Sequence, residues 1–276
     1  MSRSSASSHT SAPVLDAAAV REAAARLDNA ARARRATEPF PPGHFGLAQA
    51  YEIQRASIQL RIGRGERHKG IKLGFTSRAK MIQMGVDSLI WGLLTDAMLE
   101  EDGGGVDLAR YIHPRVEPEV CFVTRKVIDA PLTALEAADY IEAVAPALEI
   151  IDSRFRDFKF NLESVVADNC SSAGLVVGAW SRNFDALANA GVRLQFDGRD
   201  VQTGSTAAIL GHPLRSVAHA SRLLHAASMA LPAGALIMAG AATAAEALRP
   251  GIHVQCRIGS GPGALGQAAF STEGAA

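Results

Sequence analysis

The chain has 276 residues, of which 48% are hydrophobic and 20% are charged, a composition typical of one large globular domain or of a small domain and a larger one. Lys and Arg number 28, as do Asp and Glu, so the formal net charge is zero and neither a nucleic-acid partner nor a basic membrane-binding patch is indicated. Three scattered cysteines argue against a disulfide framework, no run of about 18 apolar residues predicts a membrane span, and we expect a cytoplasmic protein.

The N-terminal part of the chain is predicted to be mainly helical. Residues 1–13 are rich in serine and lack an apolar signal core, so we expect a flexible tail. Two amphipathic stretches follow, 15–35 and 47–62, separated by a proline-rich break. Segment 70–75 predicts a short strand in which a single charged residue, Lys72, lies among apolar residues and glycines.

A glycine run at 103–105 predicts a turn and a soft boundary. Before it lies the mostly helical part, residues 1–104, and after it a β-rich catalytic domain, residues 105–276. In this second part a capping-box pattern predicts a helix from Thr133 to about Val144. Because strands outnumber helices here and do not alternate with them regularly, the α+β class is favoured. The predicted strands are 115–123, 144–151, 173–180, 192–196, 235–239 and 252–258.

Two of these strands carry an acidic pattern. Glu117 and Glu119 are two residues apart, so they point to the same side of a strand, roughly 6–7 Å apart along it. Like charges this close raise each other's pKa unless a cation lies between them. A third carboxylate, Glu149, lies in an apolar run, where an unpaired charge is rarely tolerated. Three carboxylates without histidine or cysteine suit Mg²⁺ or Mn²⁺.

Simpler interpretations fit the same residues. Alternate glutamates on a strand are commonly a solvated face, and Glu149 could instead pair with Arg115 or Arg154. Lys72 is either a buried group that moves a proton or binds a carboxylate, or a lysine at a strand edge. The polar run 168–172 is either a turn or a set of short side chains that orient a bound anion. Spacing alone leaves these alternatives open.

A glycine-rich motif near the end of the chain is not a dinucleotide site. Residues 261–266 match G-x-G-x-x-G, but too few residues follow for the helix and the acidic residue that such a site needs. Neither a G-x-S-x-G nucleophile elbow nor an H-E-x-x-H zinc motif occurs. The acidic pattern therefore stays the main candidate for chemistry.

The chain contains several longer motifs, each present once. They are Lys72-Leu-Gly-Phe-Thr-Ser, His113-Pro-Arg-Val-Glu-Pro-Glu-Val, the segment 146–160, Val166-Ala-Asp-Asn-Cys-Ser-Ser-Ala, Leu210-Gly-His-Pro and the segment 240–243. In these motifs the chain resembles the hydratase/decarboxylase branch of the fumarylacetoacetate hydrolase superfamily, from about residue 47 to residue 254. The resemblance implies an α+β fold with a mixed β-sheet roll and a helical N-terminal part, a Mg²⁺ or Mn²⁺ site, and homo-oligomers.

The resemblance also implies roles for single residues. It assigns metal binding to Glu117, Glu119 and Glu149. It assigns catalytic positions to Lys72, Asp168 and Ser172, and substrate-binding positions to Leu73 and Thr243. The family usually closes with a strand after a glycine-rich turn, whereas segment 267–270 is short and alanine-rich, which puts that last strand in doubt.

The activity implied by this branch is chemistry on a small 2-keto acid. The residues of these motifs resemble the decarboxylases more than the hydratases, which favours metal-dependent decarboxylation of 2-oxo-3-hexenedioate in meta-cleavage catabolism of aromatic compounds. The alternatives are hydration of 2-hydroxypenta-2,4-dienoate, and a non-catalytic scaffold that associates with a companion hydratase. Hydrolysis of an acylpyruvate-type C–C bond is a further alternative, but the sequence offers no evident water-activating base for it.

Overall fold

The computed structural model describes residues 13–77, 81–82 and 88–274, so the predicted tail lies outside the described residues except for Pro13. The helices with described bounds are α1 (Ala17–Ala33), α2 (Leu47–Ile62), α3 (Leu162–Ala167) and α4 (Leu214–Ala226). The strands are β1 (His68–Gly74), β2 (Ile90–Thr95), β3 (Leu99–Glu100), β4 (Gly105–Asp107), β5 (Arg115–Thr124), β6 (Ile141–Ile151), β7 (Ser172–Val177), β8 (Gly191–Phe196), β9 (Arg199–Ser205), β10 (Leu236–Ala241), β11 (Glu246–Ala247), β12 (His253–Ile258) and β13 (Gly266–Glu273).

The larger of two mixed sheets forms the centre of the molecule. Its strand order is β2-β1-β10-β5-β6-β7-β3, and β11 pairs with β5 beside this path. The pair β1–β10 is parallel, whereas β10–β5, β5–β6 and β6–β7 are antiparallel. Strands β5 and β6 are long and almost wholly buried, which matches their apolar sequences.

The smaller sheet has the order β4-β13-β12-β8-β9 and packs against β6 and β7. The doubt about the last strand was wrong, because residues 266–273 form strand β13. Residues 267–270 pair antiparallel with β12, and Ala268 and Phe270 are buried. Small alanine side chains fit here because the two sheets approach closely: a Cβ on Gly178 would lie 2.2 Å from the Gln267 carbonyl oxygen.

The segment between β5 and β6 differs from its predicted helix. Thr133 and Glu136 make the contacts of a capping box, with the Thr133 N–H and hydroxyl both donating to the Glu136 carboxylate at 2.8 Å. Only a 3₁₀ turn follows, however, at Ala137–Tyr140, and β6 begins at Ile141. The predicted helix is therefore wrong, because pairing of residues 141–151 with β5 outweighs the local helix signal.

Helices α1, α2 and α3 pack together over a second apolar cluster beside the larger sheet, with Phe45, Ile53 and Phe155 fully buried in it. The strands β1 and β2, which precede residue 104, belong to the same sheet as β5 and β10. The division at residue 104 stays a prediction. Of the described helices, none is long and apolar enough to cross a membrane.

Candidate active site

The three predicted metal ligands come together on one face of the β5–β6 pair. Glu117 lies directly opposite Glu149 in the antiparallel register, and Glu119 is two residues further along the same face. One carboxylate oxygen from each residue lies within 4.8 Å of the others. Glu119 and Glu149 are 1% and 0% exposed, so the cluster is not a solvated face of the sheet.

Lys72 completes this cluster. Its Nζ atom lies 3.0 Å from Glu149 Oε2, and the two side chains are 5% and 0% exposed. Strands β10 and β5 separate β1 from β6, so in a flat sheet three strand spacings of ~4.8 Å would put the two strands roughly 14 Å apart. The contact therefore requires the sheet to curl around the site. Strand β1 is not at a sheet edge, and the partner of Glu149 is neither Arg115 nor Arg154.

The electrostatics of the cluster suit a hard cation. Burial and the neighbouring Glu149 raise the pKa of Glu119 well above its ordinary value. Burial alone would lower the pKa of Lys72, but the attraction of Glu149 and the other acids outweighs it, so the pKa of Lys72 is raised and its ammonium keeps its proton. Glu119 Oε1 and Glu149 Oε1 are buried without a hydrogen-bond partner in the described part of the chain. Two buried carboxylate oxygens without donors among the described residues, beside a third carboxylate oxygen within 4.8 Å, fit an oxygen-loving divalent ion.

Three separate sequence motifs converge behind Glu119. Glu119 Oε2 accepts a hydrogen bond of 2.8 Å from the Gly240 N–H. Gly240 has a φ of +109°, and a Cβ there would lie 2.1 Å from Thr76 Oγ1. The carbonyl oxygen of Thr76 in turn accepts from Leu210 N at 3.1 Å. The close approach thus requires glycine at position 240 and orients Glu119.

A cavity of about 730 Å³ opens beside the cluster. Four of the residues predicted from the family resemblance line it: Lys72, Leu73, Glu117 and Thr243. Leu73 belongs to the buried core and follows Lys72 in the strand, so its side chain points away from that of Lys72. The Thr243 hydroxyl donates locally to the Ala244 carbonyl oxygen at 3.0 Å.

Asp168 and Ser172, the other predicted catalytic residues, do not line this cavity. Asp168 forms a buried ion pair with Arg154 and also accepts from the Arg154 backbone N–H at 3.0 Å. Burial raises the pKa of Asp168 to about 6, although the Arg154 charge and hydrogen bonds lower it in part. Ser172 is 1% exposed, and its hydroxyl has no hydrogen-bond partner among the described residues.

Between Asp168 and Ser172 lies a strained stretch that forms part of the cavity wall. Asn169, Cys170 and Ser171 have φ values of 50°, 52° and 60°, three successive left-handed residues without a glycine. Asn169 holds the stretch in place, because its amide both accepts from Leu93 N at 2.7 Å and donates to Leu93 O at 2.9 Å. Cys170 and Ser171 line the cavity as a result. No sequence pattern predicted this conformation.

Sequence reasoning also missed a cationic wall of the cavity. Arg115 and Lys159 line it together with Phe158, and the Arg115 guanidinium carbon lies 4.2 Å from the centre of the Phe158 ring. Asp157 and Phe158 adopt φ values of 59° and 55°, a strained turn after which Phe158 and Lys159 line the cavity. Lys159 lies in the motif at 146–160, but a sequence alone does not show that it lines the same cavity as Arg115.

Comparison with known proteins connects this geometry to a family. Residues 89–270 match the model of the fumarylacetoacetate (FAA) hydrolase C-terminal family. A 4-oxalocrotonate decarboxylase of Pseudomonas sp. is 54% identical over 253 residues, which cover 91% of this chain and 97% of the relative. A 2-keto-4-pentenoate hydratase of Paraburkholderia xenovorans (strain LB400) is 36% identical over 225 residues, 80% of this chain and 82% of the relative.

A solved structure is similar over almost the whole chain. The 4-oxalocrotonate decarboxylase from Pseudomonas putida G7, complexed with magnesium and adipate, matches with a TM-score of 0.88 and 35% identity, covering 94% of this chain and 99% of that one. The predicted α+β roll is thereby confirmed.

Proposed function

The chain belongs to the fumarylacetoacetate hydrolase family, and we propose that it is a metal-dependent lyase that converts 2-oxo-3-hexenedioate (4-oxalocrotonate) to 2-hydroxypenta-2,4-dienoate and CO₂. The observation that carries the proposal is the buried cluster of Glu117, Glu119 and Glu149 with Lys72 beside it. The higher identity to the decarboxylase, 54% against 36% for the hydratase, supports the choice between the two activities.

Glu117, Glu119 and Glu149 would hold the ion, which we propose to be Mg²⁺, with Mn²⁺ as the alternative. When bound, the ion supplies Lewis-acid polarisation of the 2-keto acid. Glu149 also keeps its contact with Lys72, so it would contact both the ion and the Lys72 ammonium. Glu119 is oriented by the hydrogen bond from the Gly240 N–H. This arrangement fixes the acidic end of the cavity before a substrate enters.

Lys72 acts as a fixed positive charge in this proposal. The C5–C6 bond of the substrate breaks, its electron pair moves through C4 and C3 to the C2 oxygen, and that oxygen takes up one proton to give the dienol product. Because the Lys72 ammonium is buried and contacts Glu149, it would stabilise negative charge that develops on the C1 carboxylate or the C2 oxygen. In this proposal a solvent water molecule would supply the proton.

The remaining predicted residues act around this centre. Leu73 and Thr243 would contact substrate where they line the cavity. Asp168 would act indirectly, because its pair with Arg154 fixes the end of the strained wall at Asn169. For Ser172 we keep the catalytic assignment from the family as part of the proposal.

The test is turnover of 2-oxo-3-hexenedioate by the purified chain with Mg²⁺, followed by CO₂ release and by loss of the substrate absorbance. A chelator should abolish turnover, and added Mg²⁺ should restore it. Glu149→Gln should lose at least about a hundredfold in kcat, because Glu149 is both a proposed ligand of the ion and the ion-pair partner of Lys72. Glu142→Gln is the matched control, because Glu142 lies at the other end of β6 and pairs with Arg182. Full metal-dependent turnover by Glu149→Gln would refute the assignment.

The hydratase alternative uses the same acidic site, and the same preparation tests it. Hydration of 2-hydroxypenta-2,4-dienoate without CO₂ release from 2-oxo-3-hexenedioate would place the chain on the hydratase side. The scaffold alternative predicts neither reaction and no ion at the glutamates. The orphaned oxygens of Glu119 and Glu149 argue against it, since such a cluster without an ion only lowers stability.

The assembly and the cellular location are also proposals. We expect homo-oligomers and a complex with a companion hydratase that consumes the dienol product. Light scattering of the chain alone, and with such a hydratase, tests both. The three cysteines are unpaired and buried, which supports the reducing cytoplasm as the location.

A further inference from the structure

Charge changes sign along one face of β5. Glu119, Glu117 and Arg115 occupy every second position of the strand, so their side chains share a face. They follow one another at intervals of roughly 7 Å. The two glutamates belong to the acidic cluster, whereas Arg115 lies at the end of the strand and lines the cavity. The cavity therefore has an acidic, Lys72-containing end and a cationic end.

A second cation strengthens the far end. Lys159 lines the same cavity as Arg115, and Phe158, the residue before Lys159, packs against the Arg115 guanidinium. In the described part of the chain neither cation forms an ion pair with a carboxylate. Arg115 is half-buried and lines the cavity, and no carboxylate among the described residues pairs with it. Such an arrangement suits an anionic ligand group.

We propose that Arg115 and Lys159 form the subsite for the distal carboxylate of the substrate, and that this subsite selects dicarboxylic 2-keto acids over monocarboxylic ones. The inference rests on the proposed function, which places the 2-keto acid group at the acidic cluster. In a six-carbon diacid the two carboxyl carbons are joined by five bonds of ~1.5 Å, so they lie roughly 6 Å apart when extended. That span is close to the step from Glu117 to Arg115 along β5.

This placement has a kinetic consequence. The carboxylate at C6 loses its charge as it leaves as CO₂, so its contacts with the two cations weaken in the transition state. The subsite therefore binds the substrate and does not accelerate the bond cleavage. Removing a cation should raise KM and leave kcat unchanged or higher. It also means that the product, which lacks this carboxylate, loses a contact and dissociates more readily.

The experiment measures binding of two unreactive ligands to the Mg²⁺-loaded protein by calorimetry. One is 2-oxohexanedioate and the other is 2-oxohexanoate, which differs by the absence of the distal carboxylate. The wild type should bind the diacid at least about tenfold more tightly. Arg115→Gln should remove about tenfold of this preference, and Lys159→Gln, at an exposed residue, roughly two- to fivefold. Lys126→Gln is the matched control, since exposed Lys126 contacts Tyr140 and does not line the cavity.

The outcomes separate this inference from the proposed function. Equal affinity of the wild type for both ligands, or an unchanged preference in Lys159→Gln and Arg115→Gln, would overturn the subsite even if 2-oxo-3-hexenedioate is decarboxylated. A reduced preference in both variants, larger for Arg115→Gln, would support the subsite whether or not the wild type decarboxylates, because neither ligand reacts. Affinity for Mg²⁺ is measured for each variant, so that an effect of Arg115→Gln on nearby Glu117 is recognised. Lys159→Gln keeps the test decisive if Arg115→Gln fails to fold.

Discussion

Replacing Lys72 with methionine removes the ammonium that contacts the acidic cluster and keeps a side chain of similar length. Lys72 and Glu149 are 5% and 0% exposed, so solvent does not screen the charge that is left behind. Removing one partner of a buried ion pair destabilises a protein by about 3–5 kcal/mol. We therefore expect Lys72→Met, free of metal, to melt roughly 10 °C below the wild type.

Magnesium should reverse much of this loss. Lys72 repels a divalent ion bound at the glutamates, so its removal should strengthen Mg²⁺ binding while turnover is lost. An ion that binds only the folded state at a hundred times its Kd adds about 2.7 kcal/mol to the free energy of unfolding. In the variant, stability and activity therefore respond differently to Mg²⁺: the melting temperature recovers and the activity does not.

Thermal unfolding in chelator and in saturating Mg²⁺, together with calorimetric titration of Mg²⁺, measures these effects. Lys69→Met, at a half-buried lysine of the same strand β1, is the matched control and should leave Mg²⁺ affinity unchanged. Weaker Mg²⁺ binding by Lys72→Met, or a wild-type melting temperature in chelator, would refute the view that Lys72 is the counter-ion of the cluster.

Two further substitutions test the support of the site. Gly240→Ala should weaken Mg²⁺ binding and lower the free energy of unfolding by more than ~1 kcal/mol, because its Cβ would lie 2.1 Å from Thr76 Oγ1. Gly234→Ala, also at positive φ but with open space around it, is the control, and equal losses in both variants would contradict the argument. The pKa of Asp168 is raised from 3.8 to about 6 in the folded state. Between these pH values the folded state therefore holds a proton that the unfolded state has released. The contribution of Asp168 to the free energy of unfolding thus falls as pH rises through this window, by about 3 kcal/mol at most. Asp168→Asn should remove this pH dependence in urea unfolding; an unchanged slope would show that Asp168 is not its source.

The acidic cluster was predictable because it depends on short-range rules. Alternation along β5 puts Glu117 and Glu119 on one face, and a carboxylate within an apolar run indicates that Glu149 is buried and has a partner. The partner itself was not predictable from spacing. Lys72 reaches Glu149 across two intervening strands, and that contact depends on the curl of the whole sheet.

Other parts of the site depend on contacts between residues far apart in sequence. The pairing of Asp168 with Arg154, and of Asn169 with Leu93, gives the wall a left-handed conformation that residue propensities disfavour. The helix predicted after Thr133 failed for a related reason, because strand pairing of β6 prevailed over a correct local cap. Local patterns thus located the carboxylates of the acidic cluster, whereas the shape of the cavity follows from tertiary contacts.

The left-handed run at Asn169, Cys170 and Ser171 limits how such a cavity can evolve. Left-handed conformation costs roughly 1–2 kcal/mol per residue and asparagine tolerates it best, so Cys170 and Ser171 together cost about 2–4 kcal/mol, a sizeable part of a domain's net stability of about 5–15 kcal/mol. A chain can therefore acquire this wall only after the surrounding packing has a surplus of stability. Glycine at one of these positions would relieve the strain and make the fold more tolerant of mutation, at the expense of a side chain or a rigid backbone beside the substrate. Variants selected for thermostability alone are expected to drift towards such glycines, and variants selected for turnover to retain the strained residues.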